Sequence, residues 1–154
     1  MIQRIQTVYL LISEILTAIL FLVPFAGISG QNGLLYRADI QGLYLERTPN
    51  QELLQRHWPI FIFVVAILIL VFATIFLYKD RKLQIRLSAI SLLAQLCLCA
   101  MIFFEVWSGA QRLSGHISFT IFMVFPFISA IMILLAFRAI KHDELLVKSI
   151  DRIR

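Results

Sequence analysis

Charged residues are scarce in this sequence. Asp, Glu, Lys and Arg make up 15% of the 154 residues, while hydrophobic residues make up 60%. A soluble domain typically carries about a quarter charged residues, and a core of this size could not hide so much apolar surface. The mean hydropathy of +0.88 fits the same pattern. The composition excludes an ordinary soluble domain and predicts a protein that sits in a lipid bilayer.

Cysteine is scarce, and recognisable catalytic motifs are missing. Cys97 and Cys99 are the only cysteines, and at i, i+2 on a helix they point to nearly opposite sides, which excludes a disulfide between them. The histidines His57, His116 and His142 lie far apart along the chain. The sequence has no Gly-rich phosphate loop and no H-E-x-x-H motif. We therefore predict no metal, no cofactor and no catalytic residues.

Four apolar stretches are long enough to cross the membrane as helices. Trp58 and Tyr78 flank the second stretch, as aromatic residues do at membrane interfaces. The predicted fold is a single-domain, all-α membrane protein over residues 1–154, a bundle of four transmembrane helices. The predicted spans are residues 7–28, 58–78, 87–107 and 117–138.

The basic residues predict the orientation of this bundle. Ten Lys and Arg residues flank the spans on one side and four on the other. By the positive-inside rule, both termini, the loop 79–86 and a helical tail 139–154 lie in the cytoplasm. The same residues mark topology next to apolar runs, so the net charge of +5 does not indicate a nucleic-acid partner.

The predicted external loop, residues 29–57, is the only segment with room for structure outside the lipid. Two short apolar and aromatic runs at 33–37 and 43–46 predict a small β-hairpin. A threonine and a proline at positions 48 and 49 predict a short helix over 49–56. Because a lone hairpin is marginally stable, we expect the loop to lean on the bundle, a partner or the membrane surface.

Glu14 is the residue most in need of an explanation, because an ionisable group at membrane depth is costly. Counting along the helices puts Gln95 at a similar depth on the third span. We predict a hydrogen bond between Glu14, in its protonated form, and Gln95. Glu14 then serves either as structural glue or as a proton or ligand site. In the fourth span, Pro126 is expected to kink the helix.

Two further features are candidate sites. Glu105 is predicted near the outer interface, satisfied by headgroups, water or Arg112. In the tail, Leu146, Ile150 and Ile153 form an apolar stripe at helical spacing. This stripe either contacts the loop 79–86 or lipid headgroups, or it docks a cytoplasmic partner.

The two ends of the chain, MIQRIQTVYL and DELLVKSIDRIR, resemble the ends of an uncharacterised bacterial family of small four-span inner-membrane proteins. That family is known only as a domain of unknown function. The resemblance extends over the whole length and includes the loop after the first span. It implies the inner (cytoplasmic) membrane of a diderm bacterium, and it implies no activity, cofactor or catalytic residue.

Two functional hypotheses follow from these features. The first is a non-enzymatic accessory or assembly subunit that binds one or more membrane-protein partners in a larger inner-membrane complex. The alternative is a carrier that handles a small molecule or a lipid by means of Glu14. No arrangement of nucleophile and base suggests an enzyme.

Overall fold

The computed structural model describes residues 2–30, 33–46, 51–77 and 80–151. Within them the chain forms four α-helices and five β-strands. The helices are α1 (Ile2–Ile19), α2 (Trp58–Phe76), α3 (Arg81–Leu113) and α4 (Phe125–Asp151), with a short 3-10 helix, Ile121–Val124, before α4. The strands are β1 (Ala26–Ser29), β2 (Leu35–Ala38), β3 (Gly42–Glu46), β4 (Gln51–Arg56) and β5 (His116–Phe119).

The strands form one open antiparallel sheet in the order β4-β3-β2-β1-β5. The pairing of β5 with β1, in which Gly27 lies opposite Ser118, joins two distant parts of the chain. The predicted all-α fold is therefore wrong. A strand of four residues has too little periodicity to be recognised in sequence, and its long-range partner supplies the hydrogen bonds that hold it.

The predicted hairpin runs are found as β2 and β3, with Tyr36 opposite Leu45. The helix predicted over 49–56 is wrong, since Gln51–Arg56 is strand β4 and pairs with β3. Residues 47–50, which carry the helix-start signals, lie outside the described residues. A local capping signal is worth about 1 kcal/mol, and pairing along a neighbouring strand outweighs it here.

Two helix ends differ from the predicted spans. Helix α1 ends at Ile19, well before residue 28, and the chain turns at residues 20–22 before it enters β1. Helix α4 begins only at Phe125, because β5 and the 3-10 helix occupy the start of the predicted fourth span. Pro126 thus stands in the first turn of α4. The backbone N–H that proline lacks would have no partner within the helix at this position, so nothing is lost. The predicted kink in the middle of the helix is wrong.

Three stretches among the described residues are long and apolar enough to cross a membrane: Trp58–Phe76, Arg81–Leu113 and Ile121–Leu145. They indicate a membrane protein. The apolar part of α1, Ile5–Ile19, is shorter than these. The structure thus offers three such stretches in place of the predicted four.

The sheet lies at one end of the helices, which we call the sheet end; the opposite end, where α2 connects to α3, is the far end. Helix α3 ends in a Schellman motif in which Gly115 N donates to Ala110 O at 3.0 Å and Ser114 adopts a φ of 44°. A Cβ on Gly115 would lie 2.6 Å from Ser29 O. Only glycine therefore lets the chain leave α3 and enter β5 directly beside β1.

Candidate functional site

At the sheet end, a buried histidine pairs with Glu105. His57 immediately precedes α2, and its Nε2 lies 3.6 Å from Glu105 Oε2 on α3. The Nδ1 atom of the same ring lies 3.3 Å from Asp39 O. A carbonyl oxygen only accepts, so Nδ1 carries a hydrogen. With its hydrogen on Nδ1, the neutral ring presents the lone pair of Nε2 to Glu105. The contact is therefore attractive when a further proton lies on Nε2 or on the carboxyl group.

Glu105, which the sequence predicts to lie near the outer membrane interface, is one member of this pair. Glu105 contacts His57, a partner that the sequence pattern did not indicate, and Arg112 instead donates from Nη1 to Gln55 Oε1 at 2.9 Å. The depth of Glu105 followed from counting residues along one helix. Its partner comes from a different helix and depends on how the sheet positions His57, whose backbone N donates to Gln41 O at 3.1 Å.

A groove of about 260 Å³ lies between the sheet and the start of α2. It is lined by Gln41, Tyr44, Arg56, Trp58 and Phe61. The Arg56 guanidinium carbon stands 5.1 Å from the centroid of the Trp58 ring, a cation-π contact. Phe61 packs edge-on against the same ring, with centroids 6.1 Å apart. The groove combines one cation, an amide and a phenol with an aromatic wall.

Strand β4 is one of the two edges of the sheet, with β5 at the other, and it pairs with β3 on one side only. The described side chains of the strand, residues 52–56, are all exposed. Two adjacent leucines are among them, with Leu53 42% and Leu54 52% exposed. Within the described part of the chain, β4 thus presents an open edge with uncovered apolar side chains.

Helix α3 carries a second polar feature on its buried face. Four polar side chains follow one another at helical spacing and are nearly or fully buried: Gln84, Ser88, Ser91 and Gln95. We call them the α3 polar stripe. The two serines donate to their own helix, Ser88 to Ile85 O and Ser91 to Leu87 O. The two glutamines reach other elements, Gln84 to Thr74 O at 3.3 Å and Gln95 to Pro126 O at 3.2 Å.

Helices α1 and α4 meet through buried hydroxyl groups. Thr17 Oγ1 and Ser129 Oγ lie 2.9 Å apart, and both hydroxyls contact Ser13 O, at 2.9 and 3.1 Å respectively. Small polar residues at such contacts let two helix backbones approach and bond within lipid. Sequence reasoning missed Ser13 and Thr17, although their spacing of four residues places them on one face of α1.

The predicted hydrogen bond between Glu14 and Gln95 is wrong. Gln95 Nε2 donates to the backbone of Pro126, while Gln95 Oε1 and Glu14 Oε2 are buried and have no hydrogen-bond partner among the described residues. Equal depth along two helices does not place two side chains in contact, because rotation of each helix about its axis decides which faces meet.

The far end holds a contact between α1 and α4. Gln6 Nε2 donates to Asp143 Oδ2, and Arg81 Nη1 lies 3.5 Å from Asp143 O. The backbone of α4 continues as a helix to Asp151, but side chains from residue 146 onward are outside what the structure describes. The stripe of Leu146, Ile150 and Ile153 therefore stays a prediction.

No group of three or more His, Cys, Asp or Glu residues within 2–30, 33–46, 51–77 and 80–151 is placed to hold a metal ion. Cys97 and Cys99 are both free.

Comparison with known proteins gives one result. No curated protein matches the sequence, whereas a family model described as "Domain of unknown function (DUF4293)" matches residues 2–153. The match takes in the sheet as well as the helices. The chain therefore belongs to this family of unknown function.

Proposed function

We propose that the protein is a non-enzymatic accessory or assembly subunit of a larger membrane complex, and that strand β4 is where a partner binds. The observation that carries the proposal is the open edge of β4 with Leu53 and Leu54 exposed. Natural proteins usually protect an edge strand, because its unpaired N–H and C=O groups pair readily with another chain. The charged residues Glu52 and Arg56 give only part of that protection.

The proposed partner is a membrane protein that contributes an extended segment outside the bilayer and adds it to the sheet beside β4. This mode of recognition gains affinity from backbone hydrogen bonds and specificity from side chains such as the two leucines. As part of the proposal, the three long apolar stretches, in α2, α3 and α4, cross the bacterial inner membrane with the far end in the cytoplasm. The basic residues Arg81, Lys82 and Arg86 at the start of α3 support that orientation.

Position-specific photo-crosslinking in native membranes tests this proposal. A benzophenone amino acid is placed at position 53 or 54 in β4 and, as a control, at position 35 in β2. Leu35 is an exposed leucine of the same sheet, two strands away. We expect positions 53 and 54 to crosslink to one membrane protein, through an extended extramembrane segment of it, and position 35 not to.

A double variant then separates binding from folding. Leu53→Lys with Leu54→Lys places like charges on the edge and should abolish the complex, whereas the matched Leu35→Lys variant should keep it. Adducts with lipid only, or the same adducts from position 35 as from β4, would refute the proposal.

A carrier that uses Glu14 remains the second candidate. What favours it is that two polar atoms, Glu14 Oε2 on α1 and Gln95 Oε1 in the α3 polar stripe, are buried without partners among the described residues. Unpaired polar atoms at membrane depth are costly and often mark a transport pathway.

Protons are the simplest cargo with which to test a carrier. Liposomes that contain the protein and a trapped pH dye should acidify faster than empty ones, Glu14→Gln should abolish this flux, and Glu105→Gln should retain it. No flux in the wild type, or equal flux in Glu14→Gln, would eliminate this candidate.

A further inference from the structure

The groove at the start of α2 lies at the level of a membrane boundary. Helix α2 has 19 residues, which span about 28 Å at 1.5 Å per residue, close to the roughly 30 Å of bilayer hydrocarbon. Its first turn, which contains Trp58 and Phe61, therefore sits where hydrocarbon gives way to headgroups. Trp58 is exposed, and tryptophan favours this zone.

The polar lining of the groove suits an anion. Arg56 supplies a permanent positive charge, and the Gln41 amide adds a hydrogen-bond donor. None of the lining residues is acidic. Tyr44 Oη lies 3.5 Å from Gln41 Oε1, which leaves the Gln41 amide nitrogen free to donate to a ligand. A phosphate group accepts from a guanidinium in the same way as a carboxylate does.

The apolar wall distinguishes a lipid from a free anion. Trp58 and Phe61 belong to the membrane-spanning helix, so a phosphate near Arg56 could keep its acyl chains against the aromatic rings and the lipid-facing side of α2. The volume of about 260 Å³ lies just below the range of about 300–1,000 Å³ typical of small-molecule pockets. It fits a headgroup whose tails remain in the bilayer.

We infer that this groove binds the phosphate headgroup of an anionic phospholipid from the leaflet at the sheet end. Arg56 and Gln41 hold the phosphate, and Trp58 with Phe61 contact the start of the acyl chains. The inference goes beyond the proposed function and does not depend on it, because the leucines of the β4 edge are not among the groove-lining residues.

Quenching of Trp58 fluorescence tests this site directly. The chain has two tryptophans, so a Trp107→Phe background leaves Trp58 as the single reporter. The detergent-solubilised full chain is titrated with phosphatidylglycerol or phosphatidylcholine carrying identical brominated acyl chains. We expect phosphatidylglycerol to quench at a lower concentration than phosphatidylcholine, and Arg56→Gln to weaken the phosphatidylglycerol response about fivefold, as expected for loss of one basic contact.

The controls separate a site from general attraction. Arg112→Gln removes an equal charge at the sheet end outside the groove and should leave quenching unchanged, and Arg56→Lys should recover part of it. Leu53→Lys with Leu54→Lys should preserve lipid binding even though it abolishes partner crosslinks, so the two proposals can fail separately. Equal quenching by both lipids, an equal effect of Arg112→Gln, or full displacement of phosphatidylglycerol by millimolar inorganic phosphate would overturn the inference.

Discussion

The buried face of α3 changes character halfway along one continuous helix. Toward the far end it carries the α3 polar stripe, and toward the sheet end the same face continues with apolar residues: Leu98, Ile102, Val106 and Ala110. The apolar half joins a core cluster that includes Ile28 of the sheet. The two halves show two different ways of holding helices together in lipid.

The difference follows from what burial gains in a membrane. A leucine leaves lipid for protein with little hydrophobic gain, so packing contacts and hydrogen bonds supply the stability. In the apolar half, shape-matched side chains make those contacts beneath the sheet. In the polar half, Ser88 and Ser91 are small and satisfy their hydroxyls within α3, so neighbouring helices can come close to them without leaving a hydroxyl unpaired.

In the apolar half, we expect the largest loss of stability from a substitution that removes buried side-chain volume. Leu98 is fully buried, and we expect Leu98→Ala to lower the free energy of unfolding by about 2–4 kcal/mol, because it leaves a cavity. Leu96→Ala, at an exposed site of the same helix, is the matched control and should cost well under half as much. Unfolding by SDS in mixed micelles, followed by circular dichroism, measures both values. Equal losses would remove the distinction between buried and lipid-facing sides.

In the polar half, we expect a loss of stability from a substitution that adds side-chain volume. Ser91 is fully buried, and Ser91→Leu should destabilise the protein by about 1–3 kcal/mol because the helices must move apart. Ser91→Ala, which keeps the side chain small, should stay within about 0.5 kcal/mol of the wild type, since the lost hydrogen bond is internal to α3. The same SDS titration applies. A leucine tolerated at position 91 would show that this half is loosely packed.

Gln95 lies where the polar and apolar halves of the buried face of α3 meet, and its substitution should have a moderate effect on stability. Gln95→Leu removes the bond to Pro126 O but also removes the Oε1 atom, which has no partner among the described residues. We expect a loss of about 1 kcal/mol or less. Gln95→Glu adds a carboxyl group at membrane depth and should cost more. If Gln95→Leu costs several kcal/mol, the glutamine holds the bundle together far more than its one hydrogen bond implies.

The weakest expected effect is the coupling between Thr17 and Ser129. A double-mutant cycle with Thr17→Val and Ser129→Ala isolates their mutual hydrogen bond. Interhelical bonds of this kind average about 0.6 kcal/mol in membranes, and we expect a coupling of that size. Ser91→Ala combined with Thr17→Val supplies the control pair and should show additive losses. No coupling between Thr17 and Ser129 would indicate that the α1–α4 contact depends on packing alone.

Parts of the candidate sites could be predicted from one helix at a time. Counting residues along α3 predicts that Glu105 lies near a membrane interface, which stays a prediction, and the structure shows that Glu105 lies beside His57, just before α2. Its partner, however, required knowledge of two helices and the sheet together. The same reason explains the error at Glu14 and Gln95: residue counting gives depth along a helix, whereas the direction in which a side chain points depends on the packing of the bundle.

The sequence by itself determined that this is a membrane protein and where its most apolar helix, α2, begins. In lipid, the backbone N–H and C=O groups of a long uncharged segment can hydrogen-bond only with one another, and a helix pairs them all. Only the tertiary structure decided that residues 26–29 and 116–119 form neighbouring strands and that Pro126 stands in the first turn of α4. Short strands carry little local signal, and the hydrogen bonds that stabilise them come from residues far away in the chain.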